Sequence, residues 1–175
     1  MIRQCAMILF LFCSGVLVSA QQVSFFENDV LGIAFAPGST WQCVENASSE
    51  TLELVNKNHN LHLRMWFEPT GMSVQEYLEA LIDREGLSLA ADPFTTKVDQ
   101  HDAMGVIASC SEMRRPVKVL LIAVKNSEGF YTLRFKCPDD CFRDHRYQMQ
   151  QLISSIIIRN NKESCIFYAE TCRNS

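Results

Sequence analysis

The sequence contains no glycine-rich phosphate loop, no nucleophile elbow and no calcium-binding loop, so three common routes to an assigned chemistry are closed at the start. Internal repeats and low-complexity tracts are absent, which removes solenoids and flexible arrays from consideration. There is no excess of basic charge either: 16 Lys and Arg stand against 20 Asp and Glu. The short clusters Arg114-Arg115 and Arg143 to Arg146 read as solvated surface, and nucleic acid is not an expected partner. The apolar run from Ala6 to Val18 spans roughly 13 residues, short of the ~20 that a bilayer-crossing helix needs.

That run sits in a recognisable context. Arg3 supplies a positive n-region, and Val18-Ser-Ala20 supplies small residues before a cleavage point. We expect residues 1–20 to be a signal peptide, residues 21–160 to form one domain and residues 161–175 to form a cysteine-containing tail. A lipid anchor would need a small residue before an acylated cysteine, and Cys13 follows Phe12. Loss of Arg3 leaves 15 basic residues against 20 acids, moving the formal charge from −4 to −5. No stable membrane span is expected after cleavage, and the expected location is secreted or periplasmic.

Of eight cysteines, Cys5 and Cys13 leave with the signal, and Cys43, Cys110, Cys137, Cys141, Cys165 and Cys172 remain as disulfide candidates. An even count in an exported chain points to an oxidising compartment, with pairings that the sequence leaves open. Asn46-Ala-Ser48 is a glycosylation sequon, relevant only in a eukaryotic host.

A content of 47% hydrophobic residues over 175 positions suits one domain with a genuine core. Two short strands are expected between Val23 and Phe35, followed by a turn at Pro37-Gly-Ser-Thr and by Trp41. That tryptophan reads as a core anchor, with ligand stacking as the competing role. Thr51 to Val55 and Leu61 to Phe67 alternate around Lys57-Asn-His-Asn60 as a hairpin, burying the leucines and leaving His62, Arg64 and Trp66 on the other face. His59 and His62 would then lie on opposite sides of a continuous strand, against a shared metal.

Ser73-Val-Gln-Glu76 is a capping box, Val74, Tyr77, Leu78, Leu81 and Ile82 recur at helical spacing, and Gly86 ends the helix. Strands are expected at Phe94 to Val98, Ala103 to Cys110, Val117 to Lys125 and Phe130 to Lys136. Short polar connections make them antiparallel. Val117 to Val124 is apolar on both alternations except at Lys118, which suits a central strand covered on both faces. A second helix from about Phe142 carries Met149, Leu152, Ile153 and Ile156, with Asp139 or Asp140 at its N-cap. The fold class is α+β, a central antiparallel sheet sandwiched by helices in a single domain.

This order of elements resembles the PsbP-like superfamily: an apolar strand into Pro37-Gly-Ser-Thr-Trp41, a hairpin, the Ser73-Val-Gln-Glu-Tyr-Leu78 helix, a strand meander, then the strand and helix from Phe130 to Ile158. The superfamily takes in photosystem II extrinsic subunits, a Ran-binding nuclear factor and bacterial secreted proteins and lipoproteins. The resemblance implies a role in binding or assembly, without catalysis or a cofactor. It carries over no functional residue, and the six mature cysteines depart from its usual pattern.

The most suggestive local chemistry is Cys137-Pro-Asp-Asp-Cys141 at a helix start. A thiolate there gains from free amides and the helix dipole, as in thiol-disulfide oxidoreductases. Three intervening residues in place of two, and the acids Asp139 and Asp140, favour a structural disulfide. Cys137, Cys141 and His145 lie at four-residue intervals and raise zinc as another reading, which oxidation of the thiols opposes, leaving His145 on the surface. His101 beside Asp102 has no accompanying nucleophile. The expected function is therefore a binding or assembly module without catalytic residues, its partner an unknown protein. The alternatives are an oxidoreductase using Cys137 and Cys141, or a carrier of a small apolar ligand.

Overall fold

A computed structural model describes residues 25–44 and 50–159. The expected signal peptide, the sequon at Asn46, and Cys165 and Cys172 lie outside these residues.

Among the described residues eleven strands and two helices follow in the order β1 (Phe26–Asn28), β2 (Ile33–Phe35), β3 (Trp41–Cys43), β4 (Thr51–Asn56), β5 (Leu61–Pro69), α1 (Val74–Glu85), β6 (Ser88–Leu89), β7 (Phe94–Val98), β8 (His101–Glu112), β9 (Arg115–Lys125), β10 (Gly129–Pro138), α2 (Phe142–Ser155) and β11 (Ile157–Ile158). A 3-10 turn, Asp139–Cys141, joins β10 to α2. The main sheet runs β3-β4-β5-β10-β9-β8-β6, with β7 also paired to β8, and every pairing is antiparallel. The α+β class and the single central antiparallel sheet are as the sequence implies.

α1 forms where its capping signal stands. The Ser73 hydroxyl accepts from the Glu76 amide at 3.3 Å, and the Glu76 carboxylate accepts from the Ser73 amide at 2.9 Å. At the far end Gly86 adopts φ 63°, a left-handed geometry that costs glycine little, and its amide reaches back to the last turn. Tyr77, Leu78, Leu81 and Ile82 go down onto β8 and β9, where they meet Val106, Ala108, Val117, Val119, Leu121 and Ala123.

β9 is the central strand its sequence implies. Its odd-numbered residues face α1, while Leu120, Ile122 and Val124 face a second core with Met149, Leu152 and Ile156. Lys118 breaks the apolar pattern and reaches Asp139 at 3.6 Å. On this second side the covering layer is not helix alone: α2 shares it with a small sheet of order β1-β2-β11. β11 arises because Ile156 leaves the helix in extended geometry, and the Ile158 amide donates to the Asp99 carboxylate at 2.7 Å. That bond ties the small sheet to the β7–β8 turn.

Two turns are shorter than the gaps left between the expected strands, 99–102 and 111–116. His101 and Asp102 open β8 and are not part of the preceding turn, which is carried by Asp99 and Gln100 at φ 47° and 67°. The β8–β9 hairpin likewise turns on two residues, Met113 and Arg114, at φ 47° and 66°, with Met113 99% exposed. A type I′ two-residue hairpin takes left-handed geometry at both central positions and so matches the twist of the strands, and here non-glycine residues supply it.

Candidate functional site

The cysteine junction comes first, because the sequence puts its candidate site residues there. Cys137, the penultimate residue of β10, lies inside the α2-side core, 2% exposed, and Cys141 follows in the 3-10 turn. The expected N-cap acids are displaced: the tight turn takes up Asp139 and Asp140, and Cys141 itself occupies the N-cap of α2 with no side-chain cap bond. Burial, together with Cys141, Asp139 and Asp140, pushes the Cys137 thiol up to about 11. The Cys141 thiol is also raised, chiefly by its hydrogen bond with Asp140. Both shifts oppose the thiolate that redox chemistry requires.

Cys43, Cys110, Cys137 and Cys141 all carry free thiols in the structure. The sheet nevertheless sorts their possible partners. Cys43 lies on β3, three strand spacings from β10, so its separation from Cys137 is about 14 Å against the ~7 Å limit for a disulfide. Cys110 packs on the α1 side of the sheet and Cys137 on the α2 side, so the sheet itself separates them. Cys137 with Cys141, four residues apart across the β10–α2 junction, meets neither obstacle.

Among the described residues no group of three or more His, Cys, Asp or Glu comes together as a metal site, so the Cys137, Cys141 and His145 reading is not realised. His145 is also not a surface residue. It is 6% exposed, because it lies on the inward stripe of α2 with Met149 and Leu152.

A different surface stands out once the register is known. α1 covers the β8–β9 half of the sheet. On the same side, the β4–β5–β10 half carries three cross-strand rows: Thr51, Trp66 and Thr132; Glu53, Arg64 and Arg134; Val55, His62 and Lys136. His62 and Arg64 are exposed. Each cation has a carboxylate: Arg64 meets Glu53 at 3.5 Å, Arg134 meets Glu85 of α1 at 2.6 Å, and Lys136 meets Glu112 at 2.9 Å. The Arg64 guanidinium also lies 5.5 Å from the centre of the Trp66 ring, within cation–π range. Partial burial and the nearby Lys136 lower the His62 pKa.

Where this platform meets α1, a polar network fixes its border. Arg84 grips Glu68 at 3.0 and 2.8 Å, Glu68 accepts from the Tyr77 hydroxyl at 3.1 Å, and that hydroxyl lies 2.7 Å from Thr132 Oγ1. The Arg84 hydrogen bond holds the Glu68 carboxyl below its usual range. The platform pairs each of its cations with a carboxylate and sets an aromatic ring among the ion pairs. Half of it is visible in the sequence as the polar face His62, Arg64 and Trp66. Arg134 and Lys136 are missed there, because only the β5–β10 register brings them alongside.

No family model matches the chain, and no curated protein matches its sequence. Solved structures do match. CyanoP, the cyanobacterial PsbP of Synechocystis sp. PCC 6803, superposes with a TM-score of 0.56 at 12% identity, over 83% of this chain and 96% of that one. The chain has a PsbP-like fold. LpqN of Mycobacterium tuberculosis, a protein involved in cell envelope biogenesis, matches with a TM-score of 0.55 at 10% identity over 81% of this chain and 88% of its own. A Bacteroides thetaiotaomicron protein matches at 0.57 and 13% identity over 79% of this chain, which spans about half (49%) of that protein. At these identities the likeness establishes the PsbP-like architecture and carries no site residue across. No helix among the described residues is long and apolar enough to cross a membrane.

Proposed function

We propose that this chain is an exported, non-catalytic binding or assembly module, and that the β4–β5–β10 platform on the α1 side of the sheet is its contact surface. The observation that carries the reading is the uneven covering of that side: α1 lies over β8 and β9, the rows of Arg64 and His62 lie beyond it, and Trp66, half-buried against the α1-side core, marks the border. The balanced ion pairs suit a polar protein partner, which would desolvate Trp66 and exchange contacts with Arg64 and Glu53. Neighbours of this fold support the reading, LpqN through its part in cell envelope biogenesis. The signal-like residues 1–20 and the even number of mature cysteines support a secreted or periplasmic location.

The oxidoreductase alternative is weakened by the raised pKa of both Cys137 and Cys141. A structural clasp between them is the role we assign to the pair. Arg64→Glu tests the main proposal, since Arg64 is exposed and its replacement leaves the core untouched. In pull-downs from the native compartment, wild type should recover a protein that Arg64→Glu loses at unchanged melting temperature. Recovery of the same protein by both forms, recovery of apolar ligand alone, or recovery of nothing across conditions would each overturn it.

A further inference from the structure

The buried side-chain nitrogens and oxygens that have no hydrogen-bond partner among the described residues are three, Asn56 Oδ1, His145 Nδ1 and His145 Nε2. Buried polar atoms without partners are uncommon, and each costs about 1–3 kcal/mol, so such a group calls for an explanation. These three belong to one end and one side of the sheet. Asn56 closes β4 on the side of Leu52 and Leu54, in the same core that holds Met149 and Leu152 of α2. His145 lies on the inward stripe of that helix.

A third group joins them. His59, in the turn between β4 and β5, has its ring centre 5.1 Å from that of His145, with the ring planes at 67°. Its amide donates to the Asn56 carbonyl at 3.2 Å, which anchors the turn beside Asn56. The chain arrives at this arrangement from two directions. Lys136 pairs with His62, so β10 ends beside the start of β5, and the 3-10 turn then sends α2 back over the same corner.

We propose that His59 and His145 are the protein ligands of a late first-row transition-metal ion of the zinc class, with Asn56 Oδ1 on the same side to take a coordination position or to accept from a metal-bound water. With a metal–nitrogen bond of ~2.0–2.1 Å and each ring nitrogen ~1.1 Å from its ring centre, two imidazoles on one tetrahedral ion put their centres about 5.2 Å apart. The observed separation is 5.1 Å. Neutral imidazole with an amide oxygen, and no carboxylate or thiolate in the set, selects a borderline ion over calcium or magnesium. Ligation supplies a partner for one of the two unpaired nitrogens of His145. The site shares no residue with the platform or with the cysteine clasp.

The test is Zn²⁺ titration of the full chain by calorimetry, with imidazole nitrogens followed by NMR. Stoichiometric uptake reversed by EDTA should shift the nitrogens of His59 and His145 and leave those of His62 and His101 in place. His59→Ala is the decisive variant, because the residue sits in a turn and its loss does not open the core. Removal of a direct ligand should weaken binding by at least the 10–100-fold typical of losing an outer-shell partner. No uptake, equal uptake by His59→Ala, or uptake that leaves both imidazoles unshifted because thiols bind the ion would overturn the proposal.

Discussion

The hydroxyl of Tyr77 is the place where a single atom can be removed and its effect worked out in advance. Tyr77 is 2% exposed and stacks on Phe130, with ring centres 4.7 Å apart, so Tyr77→Phe keeps the packing and removes only the oxygen. That oxygen lies 2.7 Å from Thr132 Oγ1 and 3.1 Å from Glu68 Oε2. Thr132 is 0% exposed, so its hydroxyl loses its partner where water cannot replace it. A buried polar group left unpaired costs about 1–3 kcal/mol, whereas partly exposed Glu68, still held by Arg84, loses little. We expect Tyr77→Phe to destabilise by about 2 kcal/mol, which corresponds to roughly 4–8 °C in melting temperature for a domain of this size. The double change Tyr77→Phe with Thr132→Val removes both halves of the pair in nearly unchanged shape, and should recover most of the loss. Urea denaturation of the four proteins in the cycle measures this directly. A Tyr77→Phe protein within ~0.5 kcal/mol of wild type, or a double variant no better than the single, would refute the reasoning.

Glu68 gives a pH signature of the same border. Its folded-state pKa is depressed, first by the Arg84 hydrogen bond, so the stability it contributes is present above its ordinary value of 4.5 and is lost as pH falls below that toward the folded value. Glu68 is partly exposed, so the contribution is at most about 1 kcal/mol. Glu68→Gln should flatten that part of the acid limb of stability against pH, and an unchanged limb would remove Glu68 from the account. The cysteine arrangement is tested by peptide mapping under non-reducing conditions. The oxidised native protein should link Cys137 to Cys141, and it should never link Cys43 to Cys110, Cys43 to Cys137 or Cys110 to Cys137, because strand spacing and opposite faces forbid all three. Any of those bridges in a folded sample would contradict the sheet order.

What the sequence discloses and what it hides divide along a physical line. Local signals are legible: the capping box at Ser73, the stop at Gly86, the period of two in Leu61, Leu63 and Met65, and the two-faced apolar run of β9 each report an interaction closed within a few residues or a face that must be buried. Register and layering are not local. Nothing in Ile157-Ile158 distinguishes a helix tail from a strand. The deciding facts are pairing with Ile33 and Ala34 and the bond to Asp99, far away in the chain. The same limit explains His145. Four-residue spacing from Cys141 suggests a shared helical face, yet the orientation of α2 on the sheet turns that face inward, and the neighbour it meets is His59 from a turn 86 residues earlier.

Both candidate sites therefore lie where the sequence is least informative, at contacts between segments whose partners are fixed by the sheet. Cys137 and Cys141, the most conspicuous pair of side chains in the sequence, sit where burial and acids suppress their reactivity. Their place at the β10–α2 junction has a consequence for the histidine corner. A clasp from Cys137 to Cys141 would fix the path by which α2 leaves the strand, and so the position from which His145, one turn further on, faces His59. Covalent closure narrows the directions the helix can take, and a two-histidine metal site tolerates little misplacement. On this argument Cys141→Ser should weaken Zn²⁺ binding without contributing a ligand, and adding a reductant to the wild-type protein should have the same effect. Equal affinity in oxidised, reduced and Cys141→Ser protein would show that the helix holds its course without the clasp.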